Sequence, residues 1–277
     1  MEKITLLNIL VILESLILLI ISFILFFKLK DLSKLKKLQD ELNDLKSSKN
    51  SARDDFLPIL VHELRSPLSV IRGAADLLIK STDELSVVQI QTLLNQIKNS
   101  STTLLTMVGS ILDVSKMENG KFEINKTFSD INSVLNEECS YFDPLTKIKK
   151  LSIQCTVDKD IPNFSFDIER VKQVLNNLIS NAIKFSPEGA VITVTSKKTG
   201  SDCVVYVSDL GVGIPEHEKN FLFQKFFQAS NQNGVQKGTG LGLFISKGIV
   251  EAHGGKIWFE NNSPQGSKFC FSIPIKS

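Results

Sequence analysis

The sequence predicts three structural parts in series. These are an N-terminal transmembrane helix, an all-α helical hairpin that pairs into a dimeric four-helix bundle, and a C-terminal α/β sandwich with a mixed sheet covered by helices on one face. Three observations lead there. Residues 4–27 are apolar apart from Thr5, Asn8, Glu14, Ser15 and Ser22. From Leu57 to Leu112, apolar residues recur at helical spacing on either side of one polar break. After Gly120, strand-like runs alternate with helical ones. The segments expected are 1–28, 29–51, 52–120 and 121–277.

At about 1.5 Å per residue, the first run crosses a bilayer core of about 30 Å. A signal peptide is the competing reading, but the run is too long and no small-x-small cleavage site follows it. Lys28, Lys30, Lys34, Lys36 and Lys37 follow the span, whereas only Lys3 precedes it. That asymmetry points to a single-pass protein of the cell membrane, in contact with lipid, with its C-terminal bulk in the cytoplasm. Glu14 is costly within the span. It reads either as a contact to a membrane sensory partner or as an acid that sits protonated. Only three residues precede the span, so no sensing domain is expected ahead of it.

Leu29, Leu32, Leu35, Leu38, Leu42 and Leu45 form a short, irregular coiled-coil stripe among charged residues. Leu57, Leu60, Leu64, Leu68, Ile71, Ala75 and Leu78 then mark one helix. Ile90, Leu94, Ile97, Leu104, Val108, Ile111 and Leu112 mark the next. Two such helices cannot bury both stripes alone, so a homodimer is expected. Beyond them, "KFEIN", "LSIQCTV", "AVITVTSKK", "CVVYVSDL", "KIWFEN" and "KFCFSIPI" read as strands, and residues 130–142, 168–185 and 241–252 as helices. A formal net charge of +2 gives no global signal for nucleic acid. Four scattered cysteines without a CxxC pair argue against a zinc site or a disulfide framework.

Four stretches carry candidate chemistry. "NNLISNAIKFS" puts Asn177, Asn181 and Lys184 on one helix face, offering neutral oxygen ligands for a magnesium ion beside a cation for phosphates. A plain amphipathic helix with a polar face fits the same pattern. "DLGVGIPE" places Asp209 as an acceptor for the exocyclic amine of adenine, just before Gly211 and Gly213, which permit tight turns and close approach. "KGTGLGLFISKGIV" is a glycine-rich turn feeding a helix, a ready phosphate site formed by Gly238, Gly240 and Gly242. Its spacing departs from the dinucleotide fingerprint, and no P-loop occurs. "LFQKFFQ" anchors the polar loop that follows it.

A fifth region lies upstream. On a helical wheel His62 lies roughly 160° from the centre of the first stripe, so it faces solvent. Position 66 is serine, which excludes a zinc H-E-x-x-H. A neutral imidazole can attack the γ-phosphate of ATP, with Glu63 beside it to take a proton or orient the ring. Pro67 removes the N–H that would bond the Glu63 carbonyl and makes this point pliable.

Taken together, "HELRSP", the asparagine helix, D-x-G-x-G, the double phenylalanine and G-T-G-L-G resemble, over about residues 52–277, the sensor histidine kinases of two-component signalling. The resemblance implies a histidine phosphotransfer and dimerisation domain at 52–120. At 121–277 it implies a catalytic domain with an ATP site of the type shared with Hsp90, gyrase and MutL. By motif position, Asn181 is the principal Mg2+ ligand with Asn177 beside it. Lys184 lies near the phosphates, and Phe185 packs at the adenine pocket. Asp209 meets the adenine amine, while Gly211 and Gly213 shape that turn. Gly238, Thr239, Gly240, Leu241 and Gly242 belong to the loop at the phosphate end. His62 is the phosphorylated residue, and its partner is the receiver domain of a response regulator acting in trans. Ser66 stands where relatives that also dephosphorylate their regulator carry Thr or Asn. A degenerate scaffold and an ATP-driven conformational machine share parts of the pattern; the first needs no intact site, the second no exposed histidine.

Overall fold

The computed structural model describes residues 60–80, 85–230, 239–262 and 265–276. The expected membrane span, the coiled-coil stripe and Gly238 lie outside them. Residues 60–80 are helical (α1) and run without a break through Pro67, which is buried. The second helix (α2) is Val87–Glu118. Ser86 caps it: its hydroxyl accepts from Gln89 N–H, while its own N–H donates to the Gln89 side chain at 2.9 Å. This capping box starts the helix where the polar break ends. Leu94, Val108 and Leu112 of the expected α2 stripe stay exposed in the single chain.

Past Gly120 the chain forms β1 (Thr127–Ser129), α3 (Ile131–Ile148), β2 (Ser152–Thr156), β3 (Phe164–Phe166), α4 (Ile168–Phe185), β4 (Val191–Thr199) and β5 (Asp202–Ser208). A short 3-10 helix (Glu216–Phe221), α5 (Gly242–Ala252), β6 (Lys256–Asn261) and β7 (Ser267–Pro274) complete it. The main sheet has the order β2-β4-β5-β7-β6. Only β2 and β4 are parallel, so the sheet is mixed. Alternate residues Val205 and Val207 of β5, and Phe269, Phe271 and Ile273 of β7, face the core. There they meet Leu175, Leu178 and Ile179 of α4 and Ile245 and Ile249 of α5.

Two expectations are corrected. "KFEIN" is irregular rather than a strand. Side chains hold it instead of a ladder, with Phe122 beneath the Arg170 guanidinium at 4.8 Å and Asn125 N–H donating to Asp167 Oδ2 at 2.7 Å. The pairing strand falls just after it, as β1 with β3 in a separate two-stranded sheet. The helix expected at 130–142 continues to Ile148 through Pro144. Phe142 and Thr146, buried on either side of the proline, hold that last turn against the core.

One buried cluster sets the position of α4. The Asp167 side chain caps it by accepting from Arg170 N–H at 3.1 Å, and Asp167 N–H donates to His253 Nε2 at 3.0 Å. His253 Nδ1 pairs with the Ile249 carbonyl at 2.8 Å, so the start of α4 is tied to the end of α5. Burial pushes the His253 imidazole below its ordinary pKa, which suits the neutral form this arrangement needs.

Candidate active site

The exposed edge of α4 forms one wall of a cavity of about 540 Å³. Asn177, Asn181, Lys184 and Phe185 line it, as their i, i+4, i+7 and i+8 spacing requires. Asn177 Nδ2 donates to Ser246 Oγ of α5 at 2.9 Å, and Asn181 Nδ2 leans on Asn177 Oδ1 at 3.4 Å. With its amide nitrogen turned that way, Asn181 presents Oδ1 as an acceptor. Lys184 Nζ sits over the Phe185 ring at 5.1 Å. Burial lowers the Lys184 pKa, the nearby Glu63 carboxylate raises it, and Lys149 lowers it. The Glu63 carboxylate of α1 thus favours the charged form of Lys184, against the larger effect of burial.

Asp209 directly follows β5 on the opposite side and is 4% exposed. Its Oδ1 accepts from Gly211 N–H at 2.8 Å and Ser267 N–H at 3.1 Å, which fixes the carboxylate at the cavity wall. Burial raises its pKa above the ordinary carboxylate value, and these two backbone donors hold it down in part. Gly211 shapes the site from behind rather than lining it. A Cβ there would stand 2.6 Å from the Phe185 carbonyl oxygen, so a side chain would push the turn off α4. Gly213 lines the cavity with φ +69°, a conformation glycine adopts freely.

Thr239, Gly240 and Gly242 line the cavity where α5 begins. Gly240, at φ +67°, accepts at its carbonyl from Phe226 N–H at 3.0 Å. The Leu241 side chain is 2% exposed and packs in the core, so only its backbone belongs to the loop. Its N–H donates to Thr239 Oγ1 at 3.3 Å, so the loop closes on itself where α5 begins. A Cβ on Gly242 would stand 2.2 Å from Asn177 Oδ1. Gly242→Ala is therefore expected to turn Asn177 away from Ser246 and Asn181 and to weaken nucleotide binding about tenfold, roughly 1.4 kcal/mol. Titration with a fluorescent ATP analogue checks this; unchanged affinity would show that Asn177 placement is unimportant.

Sequence reading missed part of the wall. Tyr141, Phe142 and Leu145 of α3, and Thr106 and Ser110 of α2, also line the cavity. No local motif marks them, because they arrive by packing. His62 is exposed on α1, with Ser66 exposed one turn on. Among the described residues, no group of three or more His, Cys, Asp or Glu could hold a metal. The donor set at the cavity, an amide oxygen beside a phosphate-sized space with a cation, fits a magnesium ion shared with phosphates rather than a protein-only cage.

Residues 52–120 match the His Kinase A (phospho-acceptor) domain, and residues 166–277 match the histidine kinase-, DNA gyrase B- and HSP90-like ATPase. The catalytic domain of the histidine kinase ThkA is 34% identical over 56% of this chain and 100% of that one, with a TM-score of 0.50. The chain belongs to the histidine kinase family. Within that family, it is similar to histidine kinase AdeS of Acinetobacter baumannii, at 26% identity and TM-score 0.59, over 78% of this chain and 98% of that one. It is also 35% identical to the sensory/regulatory protein RpfC of Xanthomonas campestris pv. campestris, over 82% of this chain and 32% of RpfC. The chain thus spans about a third of the length of that curated relative. ThkA has also been solved in complex with the response regulator TrrA; that chain aligns at 26% identity over 61% of its length and 80% of this one, with TM-score 0.55.

Proposed function

We propose that this family member is a membrane-anchored, homodimeric sensor histidine kinase that phosphorylates its own His62 from ATP. It then passes the phosphoryl group to an aspartate on a separate response regulator. The observation that carries the reading is the meeting of Asn177, Asn181 and Lys184 with Asp209 across one cavity.

In the proposed reaction, Asp209 accepts from the adenine amine and Phe185 packs against the base. Lys184 and the turn Thr239–Gly240 hold the phosphates. Asn181 and Asn177 would hold Mg2+, which would neutralise charge on the phosphates when bound with the nucleotide. The His62 ring nitrogen attacks the γ-phosphorus while the bond to the β-phosphate oxygen breaks and ADP leaves. Glu63 takes the proton from the other ring nitrogen. Such transfer depends mainly on positioning and charge stabilisation. Ser66, one turn after His62, carries a hydroxyl that can orient a water for hydrolysis of the regulator's aspartyl phosphate, which releases inorganic phosphate.

Exposed Leu68, Leu77, Leu94, Leu105 and Leu112 on the hairpin support a second copy packing there, since such apolar surface is costly to leave in water. The ThkA–TrrA complex supports a regulator partner in trans. The apolar run 4–27 and the lysines after it support a single-pass anchor in the cell membrane with the catalytic part in the cytoplasm. Signals would then arrive through that helix or a membrane sensory partner.

The test is incubation of the detergent-solubilised chain with γ-labelled ATP and Mg2+. The expected label is acid-labile and alkali-stable, and it moves to a receiver domain when one is added. No label, or an acid-stable one, would overturn the reading.

A further inference from the structure

A single stripe of α2 serves two purposes. Thr106, Ser110, Asp113 and Met117 lie at i, i+4, i+7 and i+11, one helix face. The first two line the nucleotide cavity, and the last two grip the α/β unit below it. Asp113 is 7% exposed although it is a carboxylate. Its Oδ2 accepts from Arg170 Nη1 at 2.7 Å and from Gln173 Nε2 at 3.1 Å, both on α4. Arg170 Nη1 also donates to Gln173 Oε1 at 2.8 Å, and its guanidinium lies over Phe122 at 4.8 Å. The carboxylate, guanidinium and amide thus bond to one another in a partly buried triad, in which the pair's geometry is fixed by more than one hydrogen bond. Beside it, Met117 fills the space left by the missing side chain of Gly248 on α5, where a Cβ would stand 2.4 Å from its Sδ. Glu118 pairs with Lys225 just beyond.

We propose that Asp113 is a positioning residue: through Arg170 and Gln173 it seats the ATP-binding unit on its own hairpin in the posture from which phosphoryl transfer to His62 occurs. The proposal rests on the histidine-phosphorylation reading above. The posture is identified by what it brings together. With Asp113 bonded to Arg170 and Gln173, Thr106 and Ser110 of the same α2 stripe close one side of the cavity that Asn181 and Lys184 line. Asp113 touches neither nucleotide nor imidazole. Its effect should therefore fall on the rate of transfer and spare the affinity for ATP.

Asp113→Arg sets two cations against each other and should part the two surfaces while leaving α2 helical. Autophosphorylation of the full chain at saturating ATP is expected to drop at least tenfold, with affinity for a fluorescent ATP analogue unchanged within twofold. Adding Arg170→Asp to that variant restores opposite charges and is expected to recover part of the rate, which a loss of fold would not allow. Should Asp113→Arg lose its circular dichroism melt, Asp113→Asn, which keeps an acceptor oxygen without the charge, is read in its place, with about a threefold drop expected. An unchanged or faster rate overturns the proposal, and so does a loss of ATP affinity that matches the loss of rate or a swap that recovers nothing. If the unaltered chain forms no phosphohistidine, it is the proposed function that fails, not this one.

Discussion

His62→Gln is expected to abolish acid-labile labelling from γ-labelled ATP, by at least about 10³-fold, while leaving ATP affinity and melting temperature as they were. Glutamine keeps the length and polarity of the side chain but offers no nucleophilic nitrogen, and the amide nitrogen's lone pair is delocalised. The site is exposed on α1, so little packing is lost. Glu63→Gln is the graded companion. It keeps a hydrogen-bond acceptor for orienting the ring but takes no proton, and a positioned general base contributes about 10²-fold or more. A labelled His62→Gln protein would place the phosphorylated residue elsewhere.

Asp209→Asn is expected to weaken ATP binding about a hundredfold, roughly 2.8 kcal/mol. The amide oxygen of the substituted side chain can keep the bonds from Gly211 and Ser267 N–H, so the turn survives. Its NH2 would then replace the carboxylate oxygen and set a donor against the donating adenine amine, a pairing that polar sites reject strongly. The same change separates binding from folding. Burial raises the Asp209 pKa, so the folded chain takes up a proton there more readily than the unfolded one. Ionisation of Asp209 therefore costs folding stability at neutral pH, and that cost vanishes as pH falls through the raised pKa. Asp209→Asn should melt no lower than the unaltered chain at pH 7. Nucleotide affinity has the opposite dependence, because the carboxylate form is the acceptor. It should fall on acidification before ordinary carboxylates protonate, and Asp209→Asn should remove that pH dependence. Calorimetric titration of nucleotide between pH 7 and pH 5, with melting curves at each pH, measures both. An Asp209→Asn protein that binds ATP normally would remove Asp209 from the adenine site.

Much of the site was legible because its parts are local. Asn177, Asn181, Lys184 and Phe185 share a face through helical spacing alone. Gly213 and Gly240 reveal turns because positive φ favours glycine, and both adopt it. The Leu241 side chain packs in the core beneath its loop, and a motif does not distinguish a side chain that lines a turn from one that anchors it. "KFEIN" has the alternation of a strand yet finds no ladder partner, and its apolar Phe122 packs singly against the core. Proline disfavours a helix interior, but burial of Phe142 and Thr146 carries α3 past Pro144.

The sequence by itself determined the order of the parts, the exposed histidine on an amphipathic helix and the chemical groups available for a nucleotide. Each depends on neighbours within a few residues, where spacing and backbone preference act directly. The tertiary structure alone decided that Tyr141, Phe142 and Leu145 complete the cavity, that α2 closes it, and that Asp113 meets Arg170 and Gln173. Those last two contacts join residues 57 and 60 positions apart in the chain. No local pattern encodes such a meeting, because it is the packing of the helices on one another and on the sheet that brings the charges together.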